Sequence, residues 1–254
     1  MKIFKRDFKN LILTGLLIAF AGLLFIFQTG RAVAQVSFHA DVFEKKETIV
    51  IDAGHGGEDG GTVAVNGVNE KDINLSIALI LRDLLVADNY QVIMIRDGDY
   101  SVGDNTLDGL MDRKRSDIRS RLQTVVETGE CLYIGIHQNY FTESKYYGAQ
   151  MFYSPNRPES ALLAEAIRAS VVSALQPENT RQNKEADSSI FILQNCPIPA
   201  VLVECGFLSN PDEAEKLCSA DYQNDMANAV YAGITDYFAE LAKSEDEALT
   251  IAHK

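Results

Sequence analysis

Cysteine is scarce in this chain of 254 residues, and its spacing excludes two classes of site. No two of the four cysteines form a CxxC pair, which excludes a zinc ribbon and a thioredoxin-like redox motif. The sequence is compatible with one or two disulfides among these cysteines, and equally with cysteines that serve as small buried apolar side chains. The cysteines are Cys131, Cys196, Cys205 and Cys218.

Basic residues are also under-represented. The chain has 23 lysines and arginines against 36 acidic residues, for a net charge of −13. Residues 1–34 hold five of the basic residues and one acid, so the remainder is more acidic still. Because such a domain repels phosphate backbones, we expect no nucleic-acid binding. The substrate is predicted to be neutral or of mixed charge.

One long apolar run, Leu11–Phe27, follows four basic residues and precedes Ala32-Val33-Ala34. This layout predicts that residues 1–34 are a cleaved secretory signal or an uncleaved membrane anchor. In both cases the globular part lies outside the cytoplasm, and any membrane contact is through the N-terminal segment alone. We further expect a linker over residues 35–47, one domain over 48–241 and a charged, frayed tail over 242–254.

Strand-like and helix-like patterns alternate from Thr48 onward, which predicts a single α/β domain with a mostly parallel, twisted sheet covered by helices on both faces. The apolar runs predicted as strands are Ile49–Ile51, Val92–Ile95, Leu132–Ile136 and Val201–Val203, with Ala149–Tyr153 and Ile190–Leu193 as further candidates. Apolar stripes with helical spacing lie within residues 73–85, 118–126, 163–175 and 222–241.

Three of these apolar runs lead into a side chain of catalytic type: His55, His137 and Glu204. Such residues converge where parallel strands end at the carboxyl edge of the sheet. Glu70 opens the first predicted helix and shares the spacing of its buried stripe. Two histidines and a glutamate, with a fourth position open to water, are typical of catalytic zinc. The sequence therefore predicts a zinc site of His55, Glu70 and His137, with Glu204 as general base.

Each of these residues also has a simpler interpretation. Glu70 could complement the dipole of its helix, His55 could stabilise a turn, and His137 could be a satisfied core histidine. Glu204 is harder to explain without a function, because a carboxylate after "AVLV" is costly to bury alone. The other two histidines, His39 and His253, lie in the linker and the tail, so both histidines of the folded part fall at strand ends. That coincidence favours a metal site.

Four stretches carry a family resemblance: "IVIDAGHGGEDGG", "NEKDINL", "YIGIHQN" and "PAVLVECGFLSNPDEAEKL". In order and spacing they resemble the signature stretches of the zinc-dependent N-acetylmuramoyl-L-alanine amidases of the type-three amidase family. The resemblance runs from Thr48 to Leu241. The segments Tyr147–Gln150 and Arg113–Arg115 resemble the small amidases of that family that act on spore cortex.

The resemblance implies one Zn²⁺ per chain held by His55, Glu70 and His137, with Glu204 as the catalytic carboxylate. It also implies peptidoglycan as the substrate, cleaved between N-acetylmuramic acid and L-alanine. Because an uncontrolled wall hydrolase endangers its own cell, we expect control by a protein partner of unknown identity or by timing.

Two further residues are candidates for orienting substrate or supporting the ligands. Asn139 shares a strand face with His137, and Arg121 lies beside the apolar stripe of its helix; a strand-end cap and a solvated charge are the simpler interpretations. The chain also departs from the family pattern at Gly135, where serine is common. Gly135 is two residues before His137 on the same face, and its lack of a side chain is predicted to widen the pocket floor.

Two rival functions remain open. A zinc carboxypeptidase that trims stem peptides would need a basic group for a free carboxylate, and Arg121 or Arg113 could supply it. A non-catalytic peptidoglycan-binding module could keep the fold, but it would have no need for all four metal and catalytic residue types. A hydrolysis assay distinguishes the three functions.

Overall fold

Six strands form one sheet in the computed structural model, which describes residues 46–252. The strand order is β2-β1-β3-β6-β4-β5. The strands are β1 (Thr48–Ala53), β2 (Gln91–Met94), β3 (Leu132–Asn139), β4 (Gln150–Tyr153), β5 (Lys184–Glu185) and β6 (Ala200–Phe207). Five of these strands match predicted ones, apart from shifts of a few residues at their ends. Strand β5 has no predicted counterpart.

The four adjacent strands β2, β1, β3 and β6 run parallel, as the alternation of strands and helices predicts. Strand β4 pairs antiparallel with β6, and β5 pairs parallel with β4. The carboxyl ends of β1, β3 and β6 therefore meet at one edge of the sheet. At that edge His137 of β3 lies directly opposite Glu204 of β6.

Helices cover both faces of the sheet. They are α1 (Glu70–Ala87), α2 (Leu110–Thr128), α3 (Glu159–Ala174), α4 (Phe191–Asn195), α5 (Pro211–Leu217) and α6 (Ala220–Ala252). Side chains of α1, α3 and α6 pack with Ile49 and Ile51 of β1 in the larger core. Side chains of α2 and α4 pack with Val50 in the smaller core on the opposite face. Successive β1 residues alternate between the two cores, as the two-residue period of a strand requires, and the predicted architecture of the single domain is confirmed.

Two details differ from expectation. Residues Ile190–Leu193 lie at the start of the short helix α4 and do not form a strand, because an apolar run of four residues fits a buried helical turn as well as it fits a strand. The last helix continues through Ala252 into the predicted frayed tail, since no glycine or proline interrupts the helical sequence after Leu241.

The predicted signal or anchor over residues 1–34, and all but the end of the linker, lie outside the described residues. Between residues 46 and 252, no helix combines the length and the apolar character that crossing a membrane requires. In the same part of the chain all four cysteines are free thiols, and three of them are buried.

Candidate metal centre

His55 lies in the loop that leaves β1, in a backbone conformation unusual for a residue with a side chain. Its φ of +64° is left-handed, which costs about 1 kcal/mol and persists only where the surroundings enforce it. Here the Asp59 carboxylate contacts Nδ1 of His55 at 2.9 Å. That contact leaves Nε2 facing Glu70, 3.2 Å from its Oε1.

Hydrogen bonding also sets the charge of the His55 ring. Burial by itself lowers the pKa of His55, but the hydrogen bonds to Asp59 and Glu70 outweigh it and raise the pKa to about 9. A carboxylate behind the ring nitrogen opposite the metal is the usual support of a metal-binding histidine. Asp59 therefore orients Nε2 of His55 toward the centre of the site.

Glu70 is the first residue of α1, and its side chain is buried. Its Oε1 lies 3.2 Å from Nε2 of His55 and 3.1 Å from Nδ1 of His137, and it also accepts the backbone N–H of Gln138. Its Oε2 accepts the N–H of Thr62. Burial raises the pKa of Glu70, but the hydrogen bonds from both histidines prevail, and the pKa lies well below its usual range. Glu70 is held as a carboxylate between two imidazoles.

His137 is packed against the backbone of the β1 loop. A Cβ built on Gly54 would lie 2.2 Å from the His137 ring, closer than any real contact. Glycine at position 54 therefore allows the imidazole to approach the chain. The "GHGG" stretch has a packing function at this position in addition to forming a turn.

Glu204 faces the site from β6 with an incomplete set of hydrogen bonds. Its Oε2 is buried and has no hydrogen-bond partner in the part of the chain that the structure describes. Burial is the main cause of a rise in the pKa of Glu204 to about 7; the charge of Glu70 adds to the rise, and the nearby histidines oppose it. A buried carboxylate without a partner is costly for the fold and is a common sign of a functional group.

The ligand atoms of His55, Glu70 and His137 all lie within 4.8 Å of one another, with two imidazole nitrogens and one carboxylate oxygen among them. This donor set suits Zn²⁺, which accepts nitrogen and oxygen ligands and keeps an open position in catalytic sites. The carboxylate of Glu70, buried between two nitrogens, and the unpartnered oxygen of Glu204 are both features that a cation would stabilise. The residues present fit the metal that the sequence predicts.

Arg121 is buried, so it is not the solvated charge of the simpler interpretation. Its guanidinium forms ion pairs with Asp52 and Asp117 and donates to the carbonyl oxygens of Ala53 and His55 at 3.0 and 2.6 Å. The two carboxylates raise the pKa of Arg121 above its already high value, although burial opposes them. Arg121 thus supports the backbone of the His55 loop and has no free donor face for a substrate carboxylate.

Sequence reasoning missed the partners of Arg121. The Asp52 carboxylate accepts a hydrogen bond from the Tyr133 hydroxyl at 2.8 Å, in addition to its ion pair with Arg121. The signal was present in the strand "IVIDA", because an aspartate inside a buried apolar run needs a partner. Asp59 was also missed; its spacing of four residues from His55 carries no signal within a glycine-rich turn.

These residues line a cleft of about 500 Å³ at the carboxyl edge of the sheet. Helix α2 forms one wall with Lys114, Arg115 and Ile118, and the segment Ser189–Ile192 forms the other. His55, Glu70, His137 and Glu204 all line it. The cleft can therefore admit a substrate to the centre of the three ligand residues.

Comparison with known proteins identifies the family. Residues 49–236 match the family model described as N-acetylmuramoyl-L-alanine amidase. The chain belongs to this amidase family. A germination-specific N-acetylmuramoyl-L-alanine amidase of Bacillus subtilis is 38% identical over 76% of this chain and 80% of its own length. The predicted resemblance is thereby confirmed, and with it the assignment of the chain as an enzyme.

Solved amidase structures share the fold. The CwlD amidase of Clostridioides difficile, solved in complex with the GerS lipoprotein, has 36% identity and a TM-score of 0.73 over 76% of this chain and 99% of that one. The amidase AmiC2 of Nostoc punctiforme has 26% identity and a TM-score of 0.65 over 76% and 97%. The similarity covers nearly all of each amidase chain.

Two expectations about the amidase cleft do not match the structure. Asn139 does not line the cleft, and its Oδ1 accepts the N–H of Tyr140. The pairing of β3 with β6 shifts register beside it: from His137 to Asn139 β3 advances two residues, while β6 advances three, from Glu204 to Phe207. Gly135 does not widen the floor, because Tyr133 Oη lies 3.0 Å from where its Cβ would be, so the phenol fills that space.

Proposed function

We propose that this amidase hydrolyses the amide bond between the lactyl group of N-acetylmuramic acid and the L-alanine of the stem peptide in peptidoglycan. The observation that carries the proposal is the Glu204 carboxylate. Its Oε2 is buried and has no hydrogen-bond partner among residues 46–252, and the residue lies opposite His137 at the edge of the sheet where the three ligand residues meet. A group in that position is suited to exchange a proton with a substrate bound there.

In this proposal His55, Glu70 and His137 hold one Zn²⁺. When bound, the metal lowers the pKa of water and polarises the scissile carbonyl. Asp59 keeps His55 in the ring orientation that presents Nε2, and Arg121 holds the backbone of the same loop through the His55 carbonyl. Both are positioning residues, since neither reaches the reacting atoms.

Glu204 acts as the general base and then as the general acid. Its carboxylate accepts a proton from the attacking water as oxygen bonds to the amide carbon. It then returns that proton to the leaving nitrogen as the C–N bond breaks. Burial raises the pKa of Glu204 from its ordinary value toward neutral pH, where a carboxyl group can accept and release a proton at similar cost.

The setting follows from the same assignment. The globular part works outside the cytoplasm, where peptidoglycan lies, and residues 1–34 serve as its signal or anchor ahead of the linker over 35–47. Similarity to a germination-specific amidase favours spore cortex as the wall form. Similarity to an amidase solved with a lipoprotein favours control by a protein partner.

The test is mass spectrometry of products after purified peptidoglycan is incubated with the purified protein and one equivalent of Zn²⁺. We expect free stem peptides that begin at L-alanine and glycan strands without peptides. Glu204→Gln should bind zinc and release no product, whereas the exposed Glu215→Gln serves as the active control. Shortened peptides still attached to sugar would overturn the proposal in favour of a carboxypeptidase, and zinc-loaded protein that only binds the wall would indicate a binding module.

Both arginines predicted to serve a carboxypeptidase are engaged by carboxylates of the chain itself. Arg121 is buried between Asp52 and Asp117, and Arg113 is paired with Glu58. Neither offers a free guanidinium at the cleft for the terminal carboxylate of a peptide.

A further inference from the structure

A second groove, of about 520 Å³, lies along the outer part of α2 beside the catalytic cleft. Arg115 lines both the groove and the cleft, so the two form one continuous surface. Arg115 and Arg119 are four residues apart and thus neighbours on one helix face. Polar groups of Ser116, Ser120 and Gln123 line the groove with them, and Leu107 and the Asp112 carboxylate complete its lining.

The two arginines differ from the other basic residues of α2 in being available to a ligand. Arg113 is paired with Glu58, and Lys114 is paired with Asp59. Within residues 46–252, Arg119 is exposed and has no ion pair. Arg115 contacts only Asp112, at 3.2 Å, with both side chains at least 60% exposed, and such a surface pair is weak and easily exchanged.

The two walls of the cleft differ in charge. The α2 wall carries Lys114, Arg115 and Asp117 and continues into the groove, where Arg119 has no ion pair within residues 46–252 and Arg115 has only its exposed contact with Asp112. The opposite wall, Ser189–Ile192, consists of a serine and apolar side chains and carries no charge. A substrate with one anionic and one neutral half would therefore bind in one orientation, with its anionic half along α2.

The proposed substrate has such a difference between its halves. The glycan on one side of the scissile amide is made of neutral N-acetylated sugars, and the stem peptide on the other side carries free carboxylates. The protein as a whole has a net charge of −13 and repels an anionic peptide at most of its surface. The groove provides cationic donors directly beside the cleft, which it meets at Arg115.

We propose that the groove is the subsite for the stem peptide and that Arg115 and Arg119 bind its free carboxylates, which makes them specificity-determining residues. The glycan then extends past Ser189–Ile192. This inference rests on the proposed amidase function and deepens it, because it assigns the direction in which the substrate lies and the chemical group that the enzyme selects.

The test compares two soluble muropeptides that are identical except that the carboxylates of one are free and those of the other are amidated. The wild-type enzyme should prefer the free form. The double variant Arg115→Ala/Arg119→Ala should raise KM for that form about tenfold, the usual scale for losing a charged hydrogen bond, with kcat unchanged. KM for the amidated form should not change. Arg168→Ala is the matched control, because Arg168 lies on α3, on the opposite face of the sheet.

A binding measurement separates this proposal from the amidase function. Zinc-loaded Glu204→Gln protein is titrated with the free stem peptide and followed by calorimetry, which requires no turnover. Tenfold weaker binding after loss of both arginines supports the subsite even if the wild-type enzyme cleaves neither muropeptide, an outcome that would refute only the amidase function. Equal losses for the free and amidated forms, or no loss at all, would overturn the subsite.

Discussion

Glu204→Gln should stabilise the metal-free protein, although it should abolish activity. The pKa of Glu204 rises from its ordinary value of 4.5 to about 7 on folding, chiefly because of burial. At about 1.4 kcal/mol per pKa unit, ionising this group in the folded protein costs about 3 kcal/mol of unfolding free energy. Glutamine has nearly the same shape and does not ionise, so it avoids this cost.

The sign of the effect depends on pH. A carboxyl group whose pKa is raised by folding stabilises the fold below its unfolded pKa of about 4.5 and loses that contribution as pH rises through its folded pKa of about 7. The gain from Glu204→Gln should therefore be close to zero near pH 4.5 and about 3 kcal/mol at pH 8. Bound Zn²⁺ should reduce the gain, since a nearby cation stabilises the carboxylate.

Urea unfolding of the metal-free variant and wild type at both pH values measures this difference. The exposed Glu215→Gln, which makes the same change of charge, should show no such gain at either pH. A variant no more stable than wild type at pH 8 would show that Glu204 is not an unpaired buried carboxylate. A gain of equal size at both pH values would mean that packing, and not ionisation, is responsible.

Three other substitutions test how the site is built. Asp59→Asn should weaken zinc affinity about 10- to 100-fold, because it removes the carboxylate behind the His55 ring; unchanged affinity in a competition titration with a chelator would contradict that role. Gly54→Ala should lower zinc occupancy, measured by atomic absorption, because the added methyl group occupies the space of the His137 ring; full occupancy would mean that the loop yields easily. Arg121→Leu should destabilise the protein by about 3–5 kcal/mol in urea unfolding, since it leaves the Asp52 carboxylate buried without its cation; a loss below 1 kcal/mol would show that solvent replaces the guanidinium.

Much of the site could be predicted because its residues have unusual positions within local patterns. His137 and Glu204 follow runs of mostly β-branched apolar residues, which favour buried strands, and parallel strands bring their carboxyl ends together. Glu70 falls on the buried stripe of a helix whose spacing is visible in the sequence. In each case a polar side chain interrupts an apolar pattern at a position where burial requires a partner.

The sequence by itself thus determined the family, the parallel α/β architecture and the four residues at the edge of the sheet, because each follows from a local period or a stretch of consecutive residues. Only the tertiary structure decided the supporting contacts. Arg121 and Asp52 are 69 residues apart, and their pairing depends on how α2 packs against β1. The register shift beside Asn139, where β6 has one residue more than β3, arises only when the two strands pair. Such contacts depend on register and packing between distant segments, which no local pattern specifies.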